Sequence, residues 1–215
     1  MMSNLNKRIL TSFPLIIIAI YAIYNIKVLV VSLFIISSIL IYEFANILKY
    51  IFKKNKINLF IFLNLFIFYV CLFSSQIYFF LSGEFEKKQT IFLFILLICI
   101  FTDIGGYIFG NIFKGKKLTS ISPNKTYAGM IGSFMCSLIT CILFIIYFNF
   151  SFHFMFFTFL ISLVSQSGDL FISYLKRKAN IKDTGSFLPG HGGLLDRLDG
   201  IIFAIPVGIK IFIFF

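Results

Sequence analysis

Tryptophan is absent from this sequence, and histidine, proline and acidic residues are scarce. Its 215 residues include two histidines, four prolines and eight carboxylates. The four cysteines lie inside apolar runs and none forms a C-x-x-C pair, which argues against a zinc cage or a disulfide framework. We expect them to pack in an apolar core. The sequence also lacks a G-x-S-x-G motif or a Ser/His/Asp arrangement for nucleophilic catalysis.

Hydrophobic residues dominate what remains. They make up 60% of the chain, charged residues make up 13%, and the mean hydropathy is +1.00. A soluble domain cannot bury that much apolar surface, so the composition predicts an all-α, polytopic transmembrane helical bundle. Seven apolar segments are predicted, at about 9–24, 28–48, 58–81, 89–109, 127–149, 152–172 and 199–215. We expect the first to be a retained helix rather than a cleaved signal peptide.

The basic residues indicate an orientation in the membrane. Lysine and arginine total 19 and the net charge is +11, but these residues are spread over short loops, which favours membrane topology over nucleic-acid binding. With a cytoplasmic N-terminus, 15 of them fall on the cytoplasmic side and four on the other. This orientation places the polar loops 110–126 and 173–198 on the cytoplasmic face, where an anionic ligand could bind.

Glycine and aspartate are concentrated in the second half of the chain. Twelve of the 14 glycines fall within 105–132 or 168–200, and all five aspartates lie in or beside these windows. We therefore predict that residues 1–100 form scaffold helices and that residues 101–215 form the catalytic membrane region.

One polar stripe is predicted at the end of the sixth apolar segment. Gln166, Asp169, Ser173 and Lys176 recur at intervals of three and four residues, so a helix places them on one face. An ionisable group so close to an apolar run needs a partner, a cation or water. A helix-packing ion pair would explain Asp169 alone, but the stripe is too long for a single pair.

A glycine-rich turn follows this stripe. Pro189 and Gly190 break the chain, and Gly192 with Gly193 allows close backbone approaches, so the turn can cradle phosphate. The predicted carboxylate group near this surface consists of Asp169, Asp183, Asp196 and Asp199. Carboxylate clusters of this kind suit Mg²⁺ together with phosphate oxygens. His191 could orient a phosphate or be a solvated turn residue, and the pattern leaves both readings open.

The loop at 110–126 offers a second anion-binding feature. Ser122 and Thr126 precede an apolar helix, and a hydroxyl side chain there caps a helix end that favours anions. Simple capping with positive-inside charge explains the loop equally well. Nearby small-xxx-small pairs, Gly106/Gly110 and Ala128/Gly132, are typical of helix packing.

Together these features indicate phosphoryl or nucleotidyl transfer at the cytoplasmic membrane face, with cations and metal ions neutralising phosphate charge. A cation-coupled transporter is the rival from another class. Transporters hold their charges near the bilayer midplane, whereas here the charges gather at one face.

The segment SYLKRKANIKDTGSFLPGHGGLLDRLD, from Ser173 to Asp199, resembles the signature of the phosphatidate cytidylyltransferases (CDP-diacylglycerol synthases) at every fixed position. The segments QSGDL and DIGGYIFG…SPNKT are similar to that family too. The resemblance covers residues 103–200 well, whereas the first hundred residues match only as hydrophobic helices.

The resemblance implies an enzyme that joins CTP to phosphatidic acid with Mg²⁺, a second cation being left open, and releases CDP-diacylglycerol and pyrophosphate. It implies Asp169 and Asp196 as metal ligands. Implied catalytic residues are Lys176, Arg177, Lys182, Asp183, His191, Arg197 and Asp199. Implied substrate-binding residues are Asp103, Ser122, Lys125, Thr126, Ser173, Gly192 and Gly193.

The resemblance also implies a homodimer in the lipid bilayer of a bacterial-type inner membrane, with the active site facing the cytoplasm and no nucleic-acid partner. One departure stands out, because Tyr127-Ala128 occupies the place where family members commonly have Trp-Glu. Related activities remain open at this point, namely a CDP-archaeol synthase or a CTP-dependent lipid kinase.

Overall fold

A computed structural model describes residue 14 and residues 16–119, 122, 125–187 and 192–214. These residues form helices and no β-strand, which confirms the all-α prediction. The helices are α1 (Ile26–Ile51), α2 (Lys56–Ser82), α3 (Lys88–Phe113), α4 (Tyr127–Phe148), α5 (Phe154–Lys178), α6 (Leu195–Leu198) and α7 (Ile201–Phe214). Residues 16–24 are helical as well.

Five of these helices, α1 to α5, are long and apolar enough to cross a membrane, and the chain is a multi-pass membrane protein. The predicted count of seven crossings is not confirmed. Helix α7 has 14 residues, a length of about 21 Å against a hydrocarbon core of about 30 Å. Of the predicted first segment, 9–24, residues 9–13 and 15 lie outside the described part of the chain.

Two helices, α3 and α5, extend beyond the ends of their predicted apolar segments. Helix α3 runs to Phe113 rather than 109, and α5 runs to Lys178 rather than 172. The last turn of α5 carries Lys176, Arg177 and Lys178. Their positive charges interact favourably with the negative end of the helix dipole. The predicted polar stripe therefore lies on a helix, and the connecting loops are shorter than the sequence indicated.

One compact unit consists of Met1–Gln89 and Leu175–Leu198. Helix α1 packs along α2, with Leu40, Ile47 and Phe80 among the fully buried side chains. Helix α1 also contacts the short helix α6, and this contact ties the signature turn to the N-terminal helices.

A second compact unit consists of Thr90–Tyr174 and Asp199–Phe215, so it contains most of α3, α4, most of α5 and α7. Phe94, Ile98 and Ile161 are fully buried in it. Glycines allow close approaches here, since a Cβ at Gly208 would lie 2.9 Å from the Ile95 side chain. The predicted division of roles between 1–100 and 101–215 concerns function and stays a prediction.

Candidate functional site

A cavity of about 300 Å³ lies in the second unit. Its polar lining comes from α3, the loop before α4, α4 itself and α5, and consists of Thr102, Asp103, Ser122, Lys125, Thr126, Ser133, Gln166 and Asp169. Five of the predicted site residues, Asp103, Ser122, Lys125, Thr126 and Asp169, thus share one cavity. The hydroxyl groups and one ammonium group can donate hydrogen bonds to a phosphate, and the two carboxylates can bind a cation that accompanies it.

Glycines bring α3 and α4 together beside this cavity. A Cβ at Gly105 would lie 2.5 Å from the carbonyl oxygen of Gly132, and one at Gly129 would lie 2.8 Å from the carbonyl oxygen of Gly106. Only glycine allows two helix backbones to approach so closely. Of the small residues predicted to pack here, Gly106 and Gly132 make close approaches, whereas a Cβ at Gly110 would make only an ordinary contact.

Lys125 forms an ion pair with Asp169. The two side chains are about one quarter exposed, and the Ser173 hydroxyl donates a 3.3 Å hydrogen bond to Asp169 Oδ1. The ammonium group offsets part of the Asp169 charge, so an anionic ligand entering the cavity would meet a lysine that already faces inward. Asp169, Lys125 and Ser173 are therefore brought together as the sequence indicated.

Thr126 and Ser122 stand in the loop that carries Lys125. Thr126 Oγ1 accepts a 3.1 Å hydrogen bond from Gly129 N and caps α4, as predicted. The carbonyl oxygen of Ser122 accepts a hydrogen bond from Lys125 N at 3.0 Å. Between them, residues 123 and 124 are outside the described part of the chain.

Asp196 is the centre of a hydrogen-bond network in the first unit. Its Oδ1 accepts from Lys176 Nζ at 2.7 Å, and its Oδ2 accepts from the backbone N–H groups of Thr184 at 2.8 Å and Gly193 at 3.1 Å. Burial raises the pKa of the Asp196 carboxyl, but Lys176 and these N–H donors outweigh burial and hold its pKa below the ordinary value. Asp196 is therefore an anion at neutral pH.

Glycines at 192 and 193 are explained by this network. Gly192 has a φ of +86°, in the left-handed region that favours glycine. A Cβ at Gly193 would lie 2.6 Å from Glu43 Oε2 and would collide with the Thr184 hydroxyl. The close approach predicted at this turn is observed, and the groups that approach the glycine are the side chains of Glu43 and Thr184.

The remaining predicted site residues that the structure describes are exposed, except Asp199. Arg177, Lys182, Asp183 and Arg197 are exposed. Asp199 is buried in the second unit and its Oδ1 accepts from Gly200 N at 2.9 Å. His191 lies outside the described residues, together with 188–190.

Glu43 is the residue that the sequence reasoning missed. It lies in α1, within a segment interpreted as scaffold, and none of its surface is exposed. Its carboxylate accepts hydrogen bonds from Thr184 Oγ1, Leu194 N and Leu195 N, all in the signature segment. An acidic residue alone in an apolar helix is expensive to bury, and this was the available signal.

The predicted group of four carboxylates, Asp169, Asp183, Asp196 and Asp199, is not found as one metal-binding cluster among the described residues. The two carboxylates of the cavity still fit Mg²⁺ in type. Asp103 and Asp169 line one cavity, and in the described part of the chain no group of three or more His, Cys, Asp or Glu side chains is placed to hold a metal ion. Mg²⁺ is commonly held by one or two carboxylates, with water and substrate phosphates as the other ligands. A donor set of this kind suits an ion that arrives with a phosphorylated substrate.

Comparison with known proteins agrees with the chemistry of these clusters. Residues 10–215 match the profile of the Cytidylyltransferase family. The chain is 41% identical over 146 residues to a phosphatidate cytidylyltransferase of Rickettsia typhi, covering 62% of this chain and 64% of the relative. It is 42% identical over 119 residues to one of Staphylococcus saprophyticus, covering 54% of this chain and 46% of the relative.

A third relative, the phosphatidate cytidylyltransferase of Rickettsia felis, is 44% identical over 140 residues, or 60% of each chain. The chain therefore spans less than two thirds of the length of these relatives. The family profile, in contrast, extends over nearly the whole sequence and includes both the cavity of the second unit and the Asp196 network of the first. The chain belongs to the cytidylyltransferase family.

Proposed function

We propose that this protein condenses CTP with phosphatidic acid to give CDP-diacylglycerol and pyrophosphate, as an enzyme of phospholipid biosynthesis. The observation that carries the proposal is the cavity in which Lys125 faces Asp169 beside Asp103, within a chain of the cytidylyltransferase family. The names of the three relatives support the choice of substrates. Membrane helices around the cavity suit a lipid substrate.

The reaction needs no nucleophile from the protein. A phosphate oxygen of phosphatidic acid attacks the α-phosphorus of CTP in line, a new P–O bond forms, and the bond to the β-phosphate oxygen breaks. The electron pair of that bond leaves with pyrophosphate. The work of the protein is then to position the two anionic substrates and to stabilise charge.

Lys125 and the hydroxyl groups of the cavity perform this positioning. Lys125 is held at the cavity by Asp169 and exchanges this carboxylate for a phosphate oxygen when substrate enters. Ser122 and Thr126 add hydroxyl donors at the same wall. Lys176, Arg177, Lys182 and Arg197 add positive charge along the signature segment, which attracts an anionic nucleotide.

We also propose that the reaction depends on Mg²⁺, with a second cation left open. Asp169 would hold the ion together with Asp103, which lines the same cavity. Asp196, the other metal ligand that the family resemblance implies, stays a prediction. When bound, Mg²⁺ neutralises phosphate charge and favours departure of pyrophosphate. Lys176 donates to Asp196 Oδ1 and would compete with a cation for that oxygen.

The proposal places the protein in a bacterial-type inner membrane with the site facing the cytoplasm, where CTP is made. The 15-to-4 distribution of lysine and arginine supports this orientation. A homodimer is proposed on the family resemblance alone.

Substrate dependence tests the proposal. Purified protein in lipid nanodiscs is given CTP and Mg²⁺ with either phosphatidic acid or diacylglycerol, and pyrophosphate release is followed. We expect release only with phosphatidic acid, because the attacking atom is a phosphate oxygen. CTP consumption with diacylglycerol but not with phosphatidic acid would make the protein a lipid kinase instead.

A further inference from the structure

Glu43 connects the signature segment to a helix that lies 141 to 152 positions away in the sequence. Thr184 Oγ1 lies 2.8 Å from Glu43 Oε2, although the two residues are 141 positions apart. Leu194 N donates to Oε1 at 2.9 Å and Leu195 N donates to Oε2 at 2.8 Å. All four residues belong to the first unit, so one carboxylate joins both sides of the signature turn to α1.

Such a carboxylate is costly to retain. Burying an ionisable group without hydrogen bonds costs several kcal/mol, and replacing a buried polar pair by apolar residues is often neutral or stabilising. Here a fully buried Glu43 has one hydroxyl and two backbone N–H groups as hydrogen-bond partners. These bonds offset the burial, but a simple apolar contact would have fastened the turn at lower cost.

The hydrogen bonds of Glu43 lead directly to Asp196. The Thr184 hydroxyl lies 2.8 Å from Glu43 Oε2 and 3.1 Å from Asp196 Oδ2, and the N–H of the same residue donates to Asp196 Oδ2. Gly193 also donates to Asp196, and its missing side chain is what allows Glu43 to approach. Thr184 and Gly193 both donate to Asp196 Oδ2, and Glu43 fixes the position of this part of the backbone.

We propose that Glu43 is a positioning residue for the reaction: by fixing Thr184 and the 192–195 backbone, it sets the direction of the Asp196 carboxylate. Oδ2 is held by the turn, and Oδ1 is left for Lys176 or for a cation. The catalytic consequence rests on the proposed function, whereas the fixing of the turn does not.

Three variants separate these roles. Glu43→Gln keeps the side-chain volume and one acceptor oxygen but loses one of the acceptors for the Leu194 and Leu195 N–H groups. Thr184→Val removes the shared hydroxyl at nearly constant shape. Glu84→Gln, in the exposed loop between α2 and α3, is the matched control. Each is measured for CDP-diacylglycerol formation against Mg²⁺ concentration and, without substrate, for deuterium uptake of the peptide covering 192–198.

We expect Glu43→Gln to lower turnover or raise the half-saturating Mg²⁺ concentration by about 10- to 100-fold, the range typical for partners of ligating carboxylates. Deuterium uptake in 192–198 should rise, and Glu84→Gln should match the wild type in both. Because Glu43 acts through Thr184, the double variant Glu43→Gln/Thr184→Val should lose much less than the product of the single losses.

The two readouts also separate the failure of this inference from failure of the proposed function. Faster exchange with unchanged turnover and Mg²⁺ dependence would overturn the positioning role and leave a structural one. Lower turnover with unchanged exchange would overturn it as well. A wild-type protein that makes no CDP-diacylglycerol contradicts the proposed function, while increased exchange in Glu43→Gln would still establish that this carboxylate fixes the turn.

Discussion

At the scale of single residues, two aspartates of this protein are each paired with a lysine. Asp169 is paired with Lys125 in the cavity, and Asp196 is paired with Lys176 beside the signature turn. In each pair a lysine ammonium group lies against a carboxylate near an apolar environment, and phosphate or a metal ion can compete for one of the partners. Such pairs are available for exchange during a reaction, unlike an apolar contact.

These pairs lead to a prediction for the two carboxylates. An amide in place of a carboxylate carries no charge and coordinates metals weakly. We therefore expect Asp169→Asn and Asp196→Asn each to reduce turnover by at least about 10²-fold. This corresponds to a loss of about 2.7 kcal/mol of transition-state stabilisation. If the two serve one metal, the double variant should be little slower than either single variant. Initial rates of CDP-diacylglycerol formation at increasing Mg²⁺ measure the effect.

Lys53→Gln is the control for this prediction, because Lys53 is exposed and its recorded contact is with the Tyr50 ring. We expect its rate to stay close to that of the wild type. Near-normal turnover of Asp196→Asn at saturating Mg²⁺ would remove Asp196 from the site, and the same result for both aspartates would make them structural.

At the scale of helices, glycine determines how closely α3 and α4 pack, and hence the shape of the cavity they line. A Cβ on Gly105 would lie 2.5 Å from the Gly132 carbonyl oxygen and 2.9 Å from Cys136 Cβ. A Cβ on Gly110, one and a half turns away, would lie 3.4 Å from Thr126 Oγ1, an ordinary contact. The two glycines therefore differ in what a methyl group would meet.

Gly105→Ala should destabilise the protein by about 1–3 kcal/mol, because overpacking forces the two helices apart. Gly110→Ala should be neutral or stabilising by up to about 1 kcal/mol, since alanine favours the helix. Thermal unfolding of both variants in the same detergent measures the difference. Equal stabilities would mean that the crossing adapts without strain and that glycine is not required there.

The sequence predicted local features better than connections between distant segments. The helix cap at Thr126, the small-residue packing and the polar face of α5 depend on residues within a few turns, and all are observed. The sequence predicts the ends of α3 and α5 too early, because each apolar segment ends before its helix does. Glu43 was missed because its partners lie 141 to 152 positions along the chain, where no periodicity can indicate them.

At the scale of the whole molecule, the distribution of basic residues predicts which loops face the cytoplasm. Single cysteines at Lys116 and Ser186, both exposed, should react with a membrane-impermeant reagent only in inverted vesicles. A cysteine at Glu84, in the loop predicted to face the other side, is the control and should react only in intact cells. If the Lys116 or Ser186 variant is labelled from outside the cell, the predicted orientation is wrong.

The most direct test of the proposed function follows the phosphorus atoms of CTP. Protein in nanodiscs containing phosphatidic acid is incubated with Mg²⁺ and CTP labelled at either the α- or the γ-phosphorus, and lipid and water-soluble products are separated. Attack at the α-phosphorus predicts that α-label enters the lipid fraction and that γ-label is recovered in pyrophosphate. Lipid carrying γ-label, or no labelled lipid from either substrate, would contradict the account.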